Sequence, residues 1–213
     1  QLSGGYLTDQ NNSKLESSIS PSLGIRFQNS AFMFLGLEHE SEYIDEEWEV
    51  RPGFIIPVDN YSGWGSYLWM STDESRDISG SLQVNYGNYF TGQRFSINPE
   101  VLFARFDRLM AEFDVSFNYV TLPLGHFNAQ NFSCRIYYFF STKLYLKAYI
   151  QLNDDRLSND GDRISLANVL LRWTYRPGSD FYIVYNDRRL FGASAGEIAN
   201  RTLMLKATFF WRK

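Results

Sequence analysis

No stretch of this chain is apolar for the roughly 18 residues that a membrane helix requires. The mean hydropathy is -0.31, an ordinary value for a soluble protein. Neither fact excludes a membrane, because strands that alternate lipid-facing and lumen-facing residues have a low average hydropathy. There is one cysteine, Cys134, so no internal disulfide forms and a small disulfide-stapled module is excluded. Excess positive charge is also missing. The 20 Lys and Arg stand against 24 Asp and Glu, for a net charge of -4, which argues against a nucleic-acid partner. Histidine is scarce, with 2 in the chain, His39 and His126. The sequence starts at Gln1 with neither Met nor signal peptide, which predicts a processed or truncated product.

What the chain has in quantity is aromatic surface: 18 Phe, 14 Tyr and 5 Trp among 213 residues. These residues fall into a period-two pattern. From Lys143 to Asn153, Leu144, Leu146, Ala148, Ile150 and Leu152 point one way. Lys143, Tyr145, Lys147, Tyr149, Gln151 and Asn153 point the other. A helix would mix the two sets around its circumference, whereas a strand separates them. The same split sets Ala111, Phe113, Val115 and Phe117 against Glu112, Asp114 and Ser116. It recurs around Phe132–Phe140, Phe95–Phe103, Val169–Tyr175 and Leu203–Trp211. It blurs over residues 31–42 and 61–72, where both faces carry apolar side chains. About eleven strands are expected, most near the ~9–11 residues that cross a membrane. The expected fold class is therefore all-β, an antiparallel up-and-down transmembrane β-barrel formed by residues 1–213 as a single domain. Residues 1–20 read as an external loop or disordered lead-in, being polar and Gly-rich at the start.

The connections add a second pattern. Asn29-Ser30, Thr72–Asp77, Asp107-Arg108, Ser141-Thr142 and Pro177-Gly178-Ser179 read as tight turns. Between them fall longer polar stretches: Tyr43–Asn60, Leu122–Gln130, Asn153–Asp162 and Arg189–Asn200. Outer-membrane barrels show this asymmetry, with short periplasmic turns and longer external loops. An odd strand count that starts on the long-loop side departs from the even rule for such barrels. On that count the chain is expected to be the C-terminal portion of a larger barrel.

The segments Val120–Phe127 (VTLPLGHF), Ala148–Asn153 (AYIQLN) and Leu170–Arg189 (LLRWTYRPGSDFYIVYNDRR) carry a family resemblance. They resemble the C-terminal barrel region of a family of large outer-membrane proteins of Gram-negative bacteria. Full-length members pair that barrel with an N-terminal domain similar to family 9 carbohydrate-binding modules. The resemblance implies an outer-membrane location, and glycan contact only through a domain absent from this chain. It implies no catalytic residues. Its most specific feature is the turn Arg176, Pro177, Gly178, Ser179 and Asp180. Turn chemistry alone accounts for that turn: Pro177 fixes φ, Gly178 accepts positive φ, and Asp180 can accept a backbone hydrogen bond.

Candidate chemistry is thin. In a strand, Glu38, Glu40 and Glu42 share one face and His39 takes the other, so they do not converge on a metal. His126 reads as a solvated loop residue. No serine has a distinctive context for a Ser–His–acid arrangement. The acidic runs Glu42–Glu49 and Asn153–Asp162 lack ordered calcium-ligand spacing. Neither a cofactor nor a metal is expected. The candidate lumen-facing residues are Glu100, Glu112, Asp114, Arg135, Lys143, Lys147, Gln151, Arg172 and Lys206. They line either an open passage or a closed interior in which opposite charges pair. Aromatics at strand ends, among them Tyr86, Tyr89, Phe90, Phe106, Tyr119, Phe139, Phe140, Trp173, Tyr175 and Trp211, fit interfacial girdles. The expected function is a pore or cell-surface scaffold in the outer membrane, with membrane lipid and other envelope proteins as partners. An outer-membrane enzyme acting on lipid or glycan and a structural subunit of an envelope complex are the alternatives.

Overall fold

A computed structural model of the chain describes residues 1–8, 14–105, 107–154, 163–191 and 197–211. Every regular element among them is a strand. They are β1 (Leu2–Thr8), β2 (Lys14–Arg26), β3 (Phe32–Ile44), β4 (Trp48–Arg51), β5 (Phe54–Ile56), β6 (Asp59–Ser71) and β7 (Ile78–Tyr89). There follow β8 (Gly92–Arg105), β9 (Leu109–Leu122), β10 (Gly125–Ser141), β11 (Leu144–Asp154), β12 (Arg163–Arg176), β13 (Ser179–Phe191) and β14 (Glu197–Ala207).

Twelve strands form one sheet in simple up-and-down order, β1-β2-β3-β6-β7-β8-β9-β10-β11-β12-β13-β14. The remaining pair, β4-β5, is a separate two-stranded hairpin. The fold is all-β, and the sheet is antiparallel with each strand beside its sequence neighbour. The count of twelve corrects the expected eleven. With it goes the premise that the first strand starts on the long-loop side.

The added strand comes from residues 1–20, whose expected status as a loop is also corrected. Leu2–Thr8 pairs with Lys14–Pro21 in a continuous register from Leu2↔Pro21 to Leu7↔Glu16. Glycine and serine weaken a strand on their own, but a partner that supplies the ladder bonds overrides that preference. A second correction concerns Leu122–Gln130. Instead of a long loop, Pro123 and Leu124 alone connect β9 to β10. The tight turns stand where the sequence puts them. Ser30 and Asp107 adopt φ of 64° and 51°, the left-handed region that reverses a strand in few residues. Residues 155–162 and 192–196, within two of the expected long connections, and Phe106 lie outside the described residues.

The residues gather into two compact units. The first holds Gln1–Asp73, Ser81–Pro99 and Ser116–Ala129; the second holds Glu74–Gly80, Glu100–Val115 and Gln130–Lys213.

In the second unit, cross-strand partners keep one side of the sheet apolar over five strands. Tyr138 pairs with Leu146, Leu146 with Leu171, Leu171 with Ile183 and Ile183 with Leu205. The next row runs Ile136, Ala148, Val169, Tyr185 and Leu203. Among the described residues no second layer covers this side. Leu205 is 64% exposed, Leu203 67% and Trp173 50%. In the first unit, Leu23, Leu35 and Leu68 form an equivalent row, with Met33, Met70 and Leu82 beside it. His39 lies on this side too, its ring edge-on to Trp64 at 4.9 Å, while Glu38, Glu40 and Glu42 face the other way. The strand parity expected for that segment therefore holds.

Candidate functional site

The opposite side of the second unit is charged and tyrosine-rich. Arg135 forks onto Glu112, its Nη1 donating to both carboxylate oxygens at 2.8 Å. Ser133 donates to Asp114 at 2.9 Å. Glu100 reaches the same place, its carboxylate lying with those of Glu112 and Asp114 within 4.8 Å of one another. Three carboxylates at that spacing resemble a cation site in outline. Arg135 and Ser133 already engage two of them, so the group reads as an ion-paired cluster.

Tyrosines carry the cations further along the face. Lys147 sits over the Tyr137 ring at 5.2 Å and Arg135 over Tyr149 at 5.5 Å. Arg172 lies between Tyr145 and Tyr182, at 6.0 and 5.7 Å, and Lys206 lies over Tyr182 at 6.0 Å. These contacts are of the cation–π type. Gln151 donates to Asn131 at 2.8 Å and accepts from Tyr149. Asn168 and Asn186 bond across β12 and β13. Of the nine candidate residues, Glu100, Glu112, Asp114, Arg135, Lys147, Gln151, Arg172 and Lys206 thus share one charged side. The ninth, Lys143, lies in the two-residue turn between β10 and β11, where its carbonyl accepts the Thr174 N–H at 2.8 Å and continues the ladder that pairs Tyr145 with Arg172.

The tyrosines are the members that the charge pattern alone misses. Their signal is a lysine with tyrosine two residues to either side, as in Tyr145, Lys147 and Tyr149. Such spacing puts all three on one face of a strand.

The Arg176–Asp180 turn is tied into the sheet by more contacts than turn chemistry requires. Pro177 and Gly178 alone connect β12 to β13, and Gly178 takes φ +76°. Ser179 is fully buried, and its Oγ accepts the Phe210 N–H at 2.9 Å. Asp180 accepts from Arg172 at 3.0 and 3.1 Å, from Thr174 at 2.6 Å and from Tyr182 at 3.2 Å. The expected single backbone bond is corrected: the carboxylate is the hub of a side-chain network that anchors the arginine on the charged face.

In the first unit the corresponding side is built differently. Glu42, Glu40 and Glu38 stand opposite Tyr61, Gly63 and Gly65 on β6. With Arg94, Tyr67 and Asn85 they line a cavity of about 300 Å³. Ser20 donates to Glu38 at 3.3 Å. Towards the β2–β3 turn the same side carries aromatic rings. Phe34 stacks on Tyr67 at 5.9 Å, and Phe32 meets Trp69 at 5.7 Å. A Cβ on Gly36 would stand 2.3 Å from the Tyr67 ring, so the glycine leaves the space that the ring occupies. This ring cluster explains why alternation blurs in both segments.

Above the acidic row the side turns apolar. Val120, Leu122 and Phe127 are buried there, packed with Val50 and Ile56 of the β4-β5 hairpin. Tyr61, Tyr89 and Phe90 pack against the cluster. Tyr89 and Phe90 are therefore corrected from girdle residues to hairpin contacts. Phe139 stacks on Tyr137 at 6.4 Å and belongs to the tyrosine-rich side as well. Tyr86, Tyr119, Phe140, Trp173, Tyr175 and Trp211 remain exposed. His126 lies in β10 instead of a loop, its ring 5.8 Å from Tyr119.

No protein-family profile matches the chain, and no characterised protein sequence matches it significantly. Among solved structures it is similar to the NanC porin, with a TM-score of 0.42 and 9% identity over 99% of this chain and 98% of that one. It is also similar to the KdgM porin in complex with disordered oligogalacturonate, with a TM-score of 0.31 and 12% identity over 92% and 95% of the two chains.

Proposed function

We propose that this protein is a bacterial outer-membrane β-barrel that serves as a pore for polar solutes. One observation carries the reading. Long strands present rows of Leu, Ile, Val and aromatic side chains on one side, and ion pairs, amides, tyrosines and one cluster of further rings on the other. In water, an apolar side of this extent calls for a partner layer. In lipid it is the stable arrangement, since lipid-facing and lumen-facing residues alternate in every membrane strand. Hydrocarbon admits a sheet only when it is closed, so the reading entails a barrel with outer-membrane lipid as its partner. The charged side then lines the passage, where fixed charges act on passing solutes.

An enzyme in the same membrane has less support. His39 packs against Trp64 and His126 against Tyr119, both away from the side that holds the carboxylates. Purified protein in planar bilayers tests the reading. Discrete conductance steps are expected, and Lys147→Glu should move the reversal potential towards cations. Silence of folded protein over a wide voltage range would remove the pore.

A further inference from the structure

We infer that the β4-β5 hairpin lies inside the passage and narrows it, an inference that rests on the pore reading above. The argument starts from parity on β9. Glu112, Asp114, Ser116 and Asn118 share a side, with Asn118 bonded to Ser96 at 2.8 Å. The next two positions on that side are Val120 and Leu122, and both are buried. On β10, Phe127 shares a side with Ser133 and Arg135 and is likewise buried. On β6 and β7 the matching positions are Tyr61 and Tyr89. Polar alternation therefore gives way to a buried apolar patch at this end of the side, and the hairpin sits on that patch.

The seat is specific. Ile56 is 1% exposed. Phe54 meets Phe127 edge-to-face at 5.1 Å, and Arg51 lies over the same ring at 5.6 Å. The Tyr61 hydroxyl donates to the Pro57 carbonyl at 2.8 Å. Trp48 meets Phe90 at 5.7 Å. Phe90 holds φ of 50° in a two-residue turn, a conformation that a bulky side chain rarely adopts without a clamp. Within the hairpin, Glu49 accepts the Gly53 N–H at 2.8 Å, closing a turn on Gly53 at φ +81°. The connection between β3 and β6 is thus a folded element docked on the polar side, and it takes up space there that solvent and solute would otherwise fill.

Two variants test this by single-channel recording with polyethylene glycols of graded size. One replaces residues 46–58 with a short Gly/Asn linker; the other is Ile56→Ser, which leaves the chain length intact and weakens the seat. Both are expected to raise conductance, roughly twofold or more for the replacement, because current grows with the open cross-section. Both should also admit larger polymers than the parent. Parent and variants conducting alike would overturn the inference and leave the pore standing. Silence from all three folded proteins would overturn both.

Discussion

Gly178 shows how much a single position decides. Its φ of +76° suits glycine, and a Cβ there would stand 2.9 Å from the Phe210 Cβ. Gly178→Ala meets both penalties and should destabilise the protein by about 1–3 kcal/mol, read from urea unfolding in lipid vesicles. An unchanged midpoint would show that the turn is not held by its backbone. Asp180 is the other decisive residue. Asp180→Asn keeps the shape of the side chain but removes the charge that Arg172 and Thr174 share. The expected result is a lower unfolding midpoint together with freer Arg172, while Asp154→Asn, at the more exposed pair with Arg163, changes little.

At the scale of an element, neighbouring residues on one strand should answer differently to the same change. Leu171 lies in the apolar row between Leu146 and Ile183, and Leu170 beside it pairs with Lys147 and Val184 on the other side. Leu171→Arg should cost about 2–4 kcal/mol of folding stability in lipid, the expense of a cation at mid-bilayer, and Leu170→Arg far less. Equal losses would mean that the two sides of the sheet do not meet different solvents. The hairpin obeys a different rule, because its stability comes from packing and not from lipid. Ile56→Ala should weaken its seat by roughly 2–4 kcal/mol. Chymotrypsin cleavage at Phe54 should then become fast while the rest of the chain resists. The tripeptide Arg-Pro-Gly occurs at Arg51–Gly53 and again at Arg176–Gly178, and both copies make turns with positive-φ glycine. Only the second is flanked by long alternating strands, so only the second announces itself as a turn between membrane strands.

At the scale of the whole molecule, the two units carry different fixed charge on their polar sides. Glu38, Glu40 and Glu42 dominate in the first, while Arg135, Lys147, Arg172 and Lys206 stand with carboxylates in the second. Neutralising one sign should move ion preference towards the other. Glu40→Gln is expected to shift the reversal potential in a salt gradient towards anions, opposite to Lys147→Glu. A conducting channel whose reversal potential ignores both changes would place these residues away from the ion path.

The sequence by itself determined which residues share a side. A pleated strand has a side-chain period of two, and an alternating row of Leu and Lys admits one reading. The shared side of Glu100, Glu112, Asp114, Arg135, Lys147, Gln151, Arg172 and Lys206 and the separation of His39 from its glutamate neighbours were legible for that reason, and the Pro177-Gly178 turn was legible from its own residues. The tertiary structure decided what alternation does not encode. Residues 2–8 became a strand because β2 offered a ladder, against their own composition. Residues 48–56 left the expected loop and docked because Val120, Leu122 and Phe127, far along the chain, supplied an apolar seat. Period and turn chemistry are local, whereas pairing and docking depend on contacts between distant segments that no local pattern records.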